Sequence, residues 1–229
     1  MKIAIMQPYF FPYLGYFHLI NSVDNFVFYD NVNFIKNGWI NRNKILVNGK
    51  ENYLTLELIG ASPNKLIKDV QFKKNYKLFK KIEYAYRRAP FYFDVMPVIE
   101  KCFNCNTEFI GEMASNSVIE VCEYLNLKKK FFSSTSCISS NESLNRIEKI
   151  VEICRYLKSD QYINNYSGQT LYTKEEFQKY NIELMFIKSS FSVYKQFQND
   201  FISGLSIIDI MMFNSPDTIR VYLNKYILL

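Results

Sequence analysis

The chain has 229 residues, which is enough for one domain with a sizeable buried core. Its 48% hydrophobic and 22% charged residues exclude an intrinsically disordered chain. The net charge of +6 comes from residues 61–101, which hold ten Lys or Arg against four Asp or Glu, so this stretch is either a solvated helix face or a surface for an anionic ligand.

The first thirty residues predict a βαβ unit. Residues 3–6 are a short apolar run that is typical of a buried parallel strand. A helix is expected to begin at Pro12 and to end near Ser22, and residues 26–29 predict the second strand. This order of elements favours a Rossmann-like α/β fold with a largely parallel sheet.

A loop and a hairpin follow. Residues 31–43 are rich in Asn and have neither helical nor strand periodicity. Asn48-Gly49 is a strong turn signal between two predicted strands at 45–47 and 53–58. We therefore expect a β-hairpin that is added to the parallel sheet.

The middle of the chain predicts helices, and the βα alternation then returns. Helices are expected over 76–88, 95–103 and 108–125, then over 141–157 with Ser140 or Asn141 as the cap, and finally over 174–179 and 216–227. Strands are expected over 128–134, 161–163 and 182–187. No linker or repeat interrupts the pattern, so residues 1–229 are expected to form one domain.

Several classes of protein are disfavoured. No apolar run approaches about 20 residues, so no membrane span is predicted, and five scattered cysteines favour a reducing cytoplasm. The chain has no glycine-rich phosphate loop. Cys102 and Cys105 have half the spacing of a zinc site without a second pair, so no metal is predicted and the cofactor is unknown. The single histidine, His18, is expected to be a packing residue in the first helix.

The carboxyl ends of the first two strands carry the polar side chains that point to a site. Gln7 and Tyr9 follow the first strand at the start of a helix, where free N–H groups can bind a phosphate. Asp30 ends the second strand, and the loop after it carries Lys36, Trp39, Asn41 and Arg42. We expect both loops to share one cavity that binds a polar, partly anionic molecule such as a nucleotide sugar.

Five stretches of the sequence, spread over both halves of the chain, have the pattern of a known family. The N-terminal half contains KIAIMQPYFFPYLGYFHLI and VFYDNVNFIKNGWINRNKILVNG, and the C-terminal half contains QYINNYSGQTLYTKEEFQKYNIEL, YKQF and FISGLSIIDIMMFN. These stretches resemble the WbqC family, and the resemblance covers nearly the whole chain. It implies a product of a cell-surface polysaccharide (O-antigen) gene cluster, with glycine transfer as one suggested activity. The positions that match the family pattern are Gln7, Pro8, Tyr16, Asp30, Lys36, Trp39, Asn41, Arg42, Ser167, Gly168, Tyr172, Tyr194, Gln196, Ser206 and Asp209.

A weaker likeness concerns nucleotidyltransferases. Pro12-x-x-Gly15 after the first strand is similar to their P-x-x-G-H turn, but Tyr16 stands where the histidine that touches the transferred phosphate is needed. A nucleotidyltransferase-like protein is therefore a further alternative.

The leading hypothesis is a transferase that moves an acyl, aminoacyl or glycosyl group and acts on a nucleotide-linked sugar or amino sugar. Asp30, Lys36 and Asp209 are the catalytic candidates, with Asp30 or Asp209 as the general base and Lys36 beside Arg42 on the phosphates. The other matching positions, with Tyr9, are the candidates for substrate binding. The alternative is a binding or accessory protein of a polysaccharide pathway, with other pathway enzymes as partners, and nucleic acid is disfavoured because no RNA-binding signature is present.

Overall fold

The computed structural model describes residues 1–138, 144–198 and 200–229. Its strands are β1 (Lys2–Met6), β2 (Asn25–Phe28), β3 (Arg42–Val47), β4 (Lys50–Thr55), β5 (Leu58–Ile59), β6 (Gln71–Phe72), β7 (Lys130–Ser133), β8 (Gln161–Asn165), β9 (Glu183–Ser189) and β10 (Tyr226–Leu228). Its helices are α1 (Leu14–Asn21), α2 (Tyr76–Tyr86), α3 (Tyr92–Phe103), α4 (Ile110–Tyr124), α5 (Ser134–Cys137), α6 (Arg146–Tyr156), α7 (Lys174–Gln178), α8 (Ile207–Phe213) and α9 (Pro216–Tyr222).

A six-stranded sheet with the order β10-β9-β8-β1-β2-β7 is the centre of the structure. All of its neighbouring pairs are parallel except β9 and β10, which are antiparallel. This arrangement confirms the predicted α/β class with a largely parallel sheet. β2 is buried along its whole length, as expected for a strand that is covered on both faces.

The alternation of side chains along the strands divides the core between the two faces of the sheet. Ala4 of β1 and Phe26 of β2 belong to one hydrophobic cluster, whereas Ile3 and Ile5 of β1 belong to the other. The larger cluster contains the apolar faces of α1, α2, α3, α4 and α8. The smaller cluster contains those of α6 and α7.

The predicted hairpin is formed by β3 and β4, which pair in the register that Asn48-Gly49 requires. Both turn residues have positive φ, 49° for Asn48 and 75° for Gly49, as in the type I′ turns that fit the twist of a hairpin. The strands lie a few residues earlier along the chain than the predicted 45–47 and 53–58, and Leu58 begins β5 instead.

Two predicted helix boundaries need correction. α1 begins at Leu14 rather than at Pro12, with extended backbone at Tyr13. The last helix ends at Tyr222 instead of residue 227, and the residues that follow form the antiparallel edge strand β10. The outer edge of β9 offers unpaired backbone groups, and pairing with this apolar segment satisfies them.

The cap of α6 is Asn145. Its side chain accepts hydrogen bonds from the N–H groups of Ile147 (2.9 Å) and Glu148 (3.1 Å), and Glu148 accepts from the N–H of Asn145 to complete a capping box. The two residues predicted as caps, Ser140 and Asn141, lie outside the described residues.

Candidate functional site

A pocket of about 270 Å³ opens at the carboxyl edge of the sheet. The chain runs from β1 to β2 on one side of β1, while β8 pairs on the other side, so β1 lies at the topological switch point. In open α/β sheets the crevice beside a switch point is the usual ligand site. The lining residues, which define the carboxyl-edge pocket, are Gln7, Tyr29, Val32, Arg146, Lys149 and Tyr172.

The charge of the carboxyl-edge pocket comes from α6. Arg146 and Lys149 are three residues apart, so their side chains lie on the same face of the helix and both reach the pocket. Within the described residues, neither cation has a carboxylate within ion-pairing distance. The pocket is therefore suited to an anion.

Two phenols form part of the wall. Burial raises the pKa of Tyr29 to about 12, with a further increase from Tyr172 and an opposing effect of Arg146. Burial also raises the pKa of Tyr172, whose ring packs edge-on against Phe177 at 5.7 Å between centroids. Both hydroxyls are therefore protonated at neutral pH and are available to donate hydrogen bonds.

Tyr16 holds the turn that carries Gln7. Its hydroxyl donates a hydrogen bond of 2.9 Å to the carbonyl of Gln7, and its ring lies 5.4 Å from the ring of Tyr9. Tyr16 is completely buried, and burial raises its pKa well above the usual value. The residue that replaces the histidine of the nucleotidyltransferase turn thus supports the backbone from inside the core, while Tyr9 packs against it.

Asp30 joins the carboxyl ends of β2 and β7. Its Oδ1 accepts hydrogen bonds from the hydroxyl of Ser134 (2.8 Å) and from both the N–H (3.1 Å) and the hydroxyl (3.0 Å) of Thr135. Its Oδ2 accepts one from Ser133 at 2.5 Å. Oδ2 therefore keeps more accepting capacity than Oδ1, and the carboxylate lies directly after Tyr29 of the pocket.

The Asn-rich loop meets the turn after β1 through backbone groups. The N–H of Phe10 donates to the carbonyl of Trp39 at 3.0 Å, and the side-chain amide of Asn43 donates to the carbonyls of Phe10 (3.2 Å) and Phe11 (2.8 Å). The loop carries four residues that were predicted as part of the site, and none of them lines the carboxyl-edge pocket: Lys36, Trp39, Asn41 and Arg42. The two loops are thus in contact, while the residues predicted in the Asn-rich loop lie outside the lining of the carboxyl-edge pocket.

The side chains of this loop have other surroundings. The Arg42 guanidinium donates to the carbonyls of Asn37 and Gly38 and lies 4.8 Å from the centroid of the Tyr53 ring. Asn41 donates to the carbonyl of Leu56 at 2.9 Å. Lys36 is exposed, and Trp39 has 36% of its surface exposed.

Asp209 is the centre of a buried hydrogen-bond network. Its Oδ1 accepts from the hydroxyl of Tyr86 at 2.8 Å, and its Oδ2 accepts from the hydroxyl of Tyr194 and the amide of Gln196, each at 2.7 Å. Burial raises the pKa of Asp209, and these hydrogen bonds lower it in part. The network joins α8 to α2 and to the segment before α8, and Asp209 has no exposed surface.

The three small residues that were predicted as site residues in the C-terminal half have structural contacts. The hydroxyl of Ser206 donates to the carbonyl of Phe11 at 2.7 Å and caps α8. Gly168 is buried, and a Cβ there would lie 2.8 Å from the amide nitrogen of Asn164. Ser167 is exposed in the turn after β8, where its carbonyl accepts from Thr170.

The described residues form neither a metal site nor a helix that could span a membrane. Across 1–138, 144–198 and 200–229, no three His, Cys, Asp or Glu side chains are grouped to hold a metal ion. Cys102 and Cys105 are free thiols near the thioether of Met113, with a sulfur–sulfur distance of 3.5 Å for Cys105. Among the described helices, none has the length and apolarity that crossing a bilayer requires.

Of the predicted site residues, the structure brings Gln7 and Tyr172 together in the carboxyl-edge pocket. Sequence reasoning missed Arg146, Lys149 and Tyr29. The spacing of Arg146 and Lys149 was a usable signal, because two cations at i and i+3 share one helix face. Their proximity to Gln7 could not be predicted from the sequence, because about 140 residues separate them from it in the chain.

Comparison with known proteins agrees with the motifs. The model of the WbqC-like protein family matches residues 7–221. The chain is also 24% identical to "Uncharacterized protein Rv1507c" of Mycobacterium tuberculosis over 234 residues, which covers 96% of this chain and 97% of that protein. No solved structure matches significantly.

Proposed function

Since the chain belongs to the WbqC-like protein family, we propose that it is a transferase of cell-surface polysaccharide synthesis that binds a nucleotide-linked sugar or amino sugar in the carboxyl-edge pocket. The observation that carries the proposal is the pair of cations, Arg146 and Lys149, which have no ion-pair partner among the described residues and lie beside Gln7 at the switch point of the sheet. The family resemblance supplies the polysaccharide context.

Different lining residues are proposed to bind different parts of the ligand. Arg146 offers a planar fork of donors that matches a phosphate, and Lys149 adds a second positive charge. The amide of Gln7 and the protonated hydroxyls of Tyr29 and Tyr172 hydrogen-bond to sugar hydroxyls. The pocket has room for a phosphorylated sugar, and the rest of the nucleotide extends over the exposed Arg146.

The transferred group is acyl, aminoacyl or glycosyl. The hydroxyl or amine of the acceptor attacks the electrophilic carbon of this group, the new C–O or C–N bond forms as the bond to the leaving group breaks, and the proton of the acceptor passes to a base. We assign that base to Asp30, through the Oδ2 oxygen, which accepts one hydrogen bond from the described residues, that of Ser133. Asp209 has three donors and no exposed surface, so its proposed role is to position its neighbours. The catalytic role of Lys36 stays a prediction.

Isothermal titration calorimetry with UDP-N-acetylglucosamine, UDP and free N-acetylglucosamine tests the binding step. We expect the two phosphate-bearing compounds to bind and the free sugar to bind weakly. Arg146→Ala should weaken binding at this pocket about tenfold or more, equivalent to at least about 1.4 kcal/mol, because a charge-assisted contact is lost. The matched control is Arg155→Ala on the same helix, since Arg155 pairs with Glu152 outside the pocket.

An equal loss of affinity in Arg146→Ala and Arg155→Ala would contradict the assignment of the pocket. Turnover then separates the enzyme from the alternative. Consumption of the nucleotide sugar by the purified protein with an acceptor, lost in Asp30→Asn, supports the transferase. Binding without turnover for every acceptor supports a binding or accessory protein of the pathway.

A further inference from the structure

A second and larger cavity, of about 770 Å³, lies away from the carboxyl-edge pocket and shares no lining residue with it. It lies between the end of α2, the turn of the β3–β4 hairpin and the segment before α8. We call it the arginine cleft, and the lining residues that matter here are Tyr84, Arg87, Arg88, Lys195, Phe197 and Phe213.

The arginine cleft is positively charged and has no acidic wall. Arg87, Arg88 and Lys195 are exposed, and no Asp or Glu is among the lining residues. In the part of the chain that the structure describes, none of the three forms an ion pair. Like charges that share a cleft repel one another, so a bound anion relieves an unfavourable interaction.

A buried hydrogen-bond network around Tyr86 and Asp209 joins the three elements that border the cleft, which are α2, the β3–β4 hairpin and the segment before α8. Tyr86, which precedes Arg87 in the chain, donates its hydroxyl to Asp209 and accepts a hydrogen bond of 2.9 Å from the N–H of Leu46. Leu46 lies in β3, two residues before the hairpin turn. Tyr194 donates to the same carboxylate. The cleft is therefore held open by a network of the core, which is how a preorganised site is built.

The segment before α8 alternates between this network and the cleft. The side chains of Tyr194 and Gln196 reach Asp209, whereas Lys195 and Phe197 line the cavity. Phe197 has a φ of 52°, and its ring packs edge-on against Phe213 at 4.7 Å between centroids. The apolar side of the cleft is thus formed by two rings that pack on each other, in the same cavity as the three cations.

We propose that the arginine cleft binds an organic diphosphate, with the phosphates on Arg87, Arg88 and Lys195 and the attached organic group against Phe197 and Phe213. The volume is within the range of about 300–1,000 Å³ that is typical of small-molecule sites. Two guanidinium groups and an ammonium match the charge of a diphosphate. The organic group is either a nucleoside or an apolar chain, since both can pack on aromatic rings.

This site is independent of the proposed function, because it uses different residues and a different part of the fold. If both proposals hold, one chain binds two diphosphates at separate places. Either can fail without the other, and the stoichiometry of binding tells them apart.

Calorimetry with three probes tests the proposal: inorganic pyrophosphate, UDP and geranyl diphosphate. The wild-type chain is expected to bind one pyrophosphate more than a chain with Arg88→Ala and Lys195→Ala. The totals are two and one if the carboxyl-edge pocket also binds pyrophosphate, and one and none if it does not. At least one organic diphosphate should bind the cleft about tenfold or more tightly than pyrophosphate does, and the tighter of the two identifies the source of the ligand. Affinity should also fall with added salt, as charged contacts are screened.

The control carries the same change of charge elsewhere, with Arg155→Ala and Lys179→Ala, and it should keep the second site. Urea unfolding checks that both double variants are folded. If the Arg88→Ala and Lys195→Ala chain is not folded, Arg88→Gln replaces it, because this change removes the positive charge but keeps a polar side chain. Loss of the second site in the control, or wild-type stoichiometry in the cleft variants, would overturn the proposal. The proposal is supported if Arg146→Ala still binds one pyrophosphate and if that binding is lost when Arg88→Ala and Lys195→Ala are added to the same chain.

Discussion

At the scale of single residues, Asp209 shows how a position that looks catalytic in the sequence can belong to the core. Its two oxygens accept three hydrogen bonds, and none of its surface is exposed. A buried carboxylate is costly unless such donors surround it. The donors come from two separate stretches of the chain, α2 and the segment before α8, so a contact with solvent or substrate is not needed to account for the residue.

Asp209→Asn should lower the free energy of unfolding by about 1–3 kcal/mol. The amide nitrogen of Asn is a donor, so a neighbouring donor that now bonds to a carboxylate oxygen would lose its acceptor inside the core. Urea denaturation measures this loss. The matched control is Asp217→Asn, since Asp217 is an exposed partner of Arg220 and should change stability by less than about 0.5 kcal/mol. A loss in Asp209→Asn no larger than in the control would show that the network contributes little.

His18 provides a pH-dependent test, because it is the only histidine in the chain. It is buried in α1 with a hydrogen bond of 3.0 Å from Nε2 to the carbonyl of Tyr222, as its prediction as a packing residue requires. Burial lowers the pKa of His18 below its usual 6.5, so the unfolded chain takes up a proton before the folded chain does.

The stability contributed by neutral His18 is complete above about pH 6.5 and is lost as the pH falls below that value. We therefore expect the wild type to lose stability relative to His18→Gln between pH 7.5 and 5.5. Urea midpoints of the two proteins across this range measure the difference. A constant difference across the range would mean that His18 is protonated equally in both states.

At the scale of elements, the β3–β4 hairpin depends on its turn. Gly49 has a φ of 75°, which residues with a Cβ rarely adopt, and the turn also forms part of the arginine cleft. Gly49→Ala should therefore lower stability by about 1 kcal/mol, whereas Asn48→Gly should be nearly neutral because Gly accepts positive φ. Thermal unfolding of both variants checks this, and equal melting temperatures would contradict the strain at Gly49.

Most elements could be predicted because their residues carry a local signal. The apolar run of β1, the turn of the hairpin and the periodicity of α2 each depend on neighbours in sequence. α8 was not predicted, since IIDIMMF is buried all round and has no polar face to reveal a helical period. The end of the last helix was wrong for another reason: β10 forms only because the edge of β9 is present to pair with it.

At the scale of the whole molecule, the candidate site could be predicted only in part. Gln7 was found because a strand end at the N-terminus is visible in the sequence. Arg146 and Lys149 were not, because a helix far along the chain reaches Gln7 only after β8 has paired with β1. The excess positive charge of residues 61–101 is visible in the sequence, and Arg87 and Arg88 from this stretch line the arginine cleft.

The position of β1 between β2 and β8 also has a consequence for synthesis of the chain. β2 is made soon after β1, whereas β8 emerges from the ribosome roughly 10–30 s later at usual elongation rates. During that interval the nascent polypeptide has a hydrophobic strand with one side of its backbone unpaired. The central strand of the finished sheet is thus an edge strand during this interval, and other chains can pair with it. Binding of a chaperone would protect the nascent chain most at this stage.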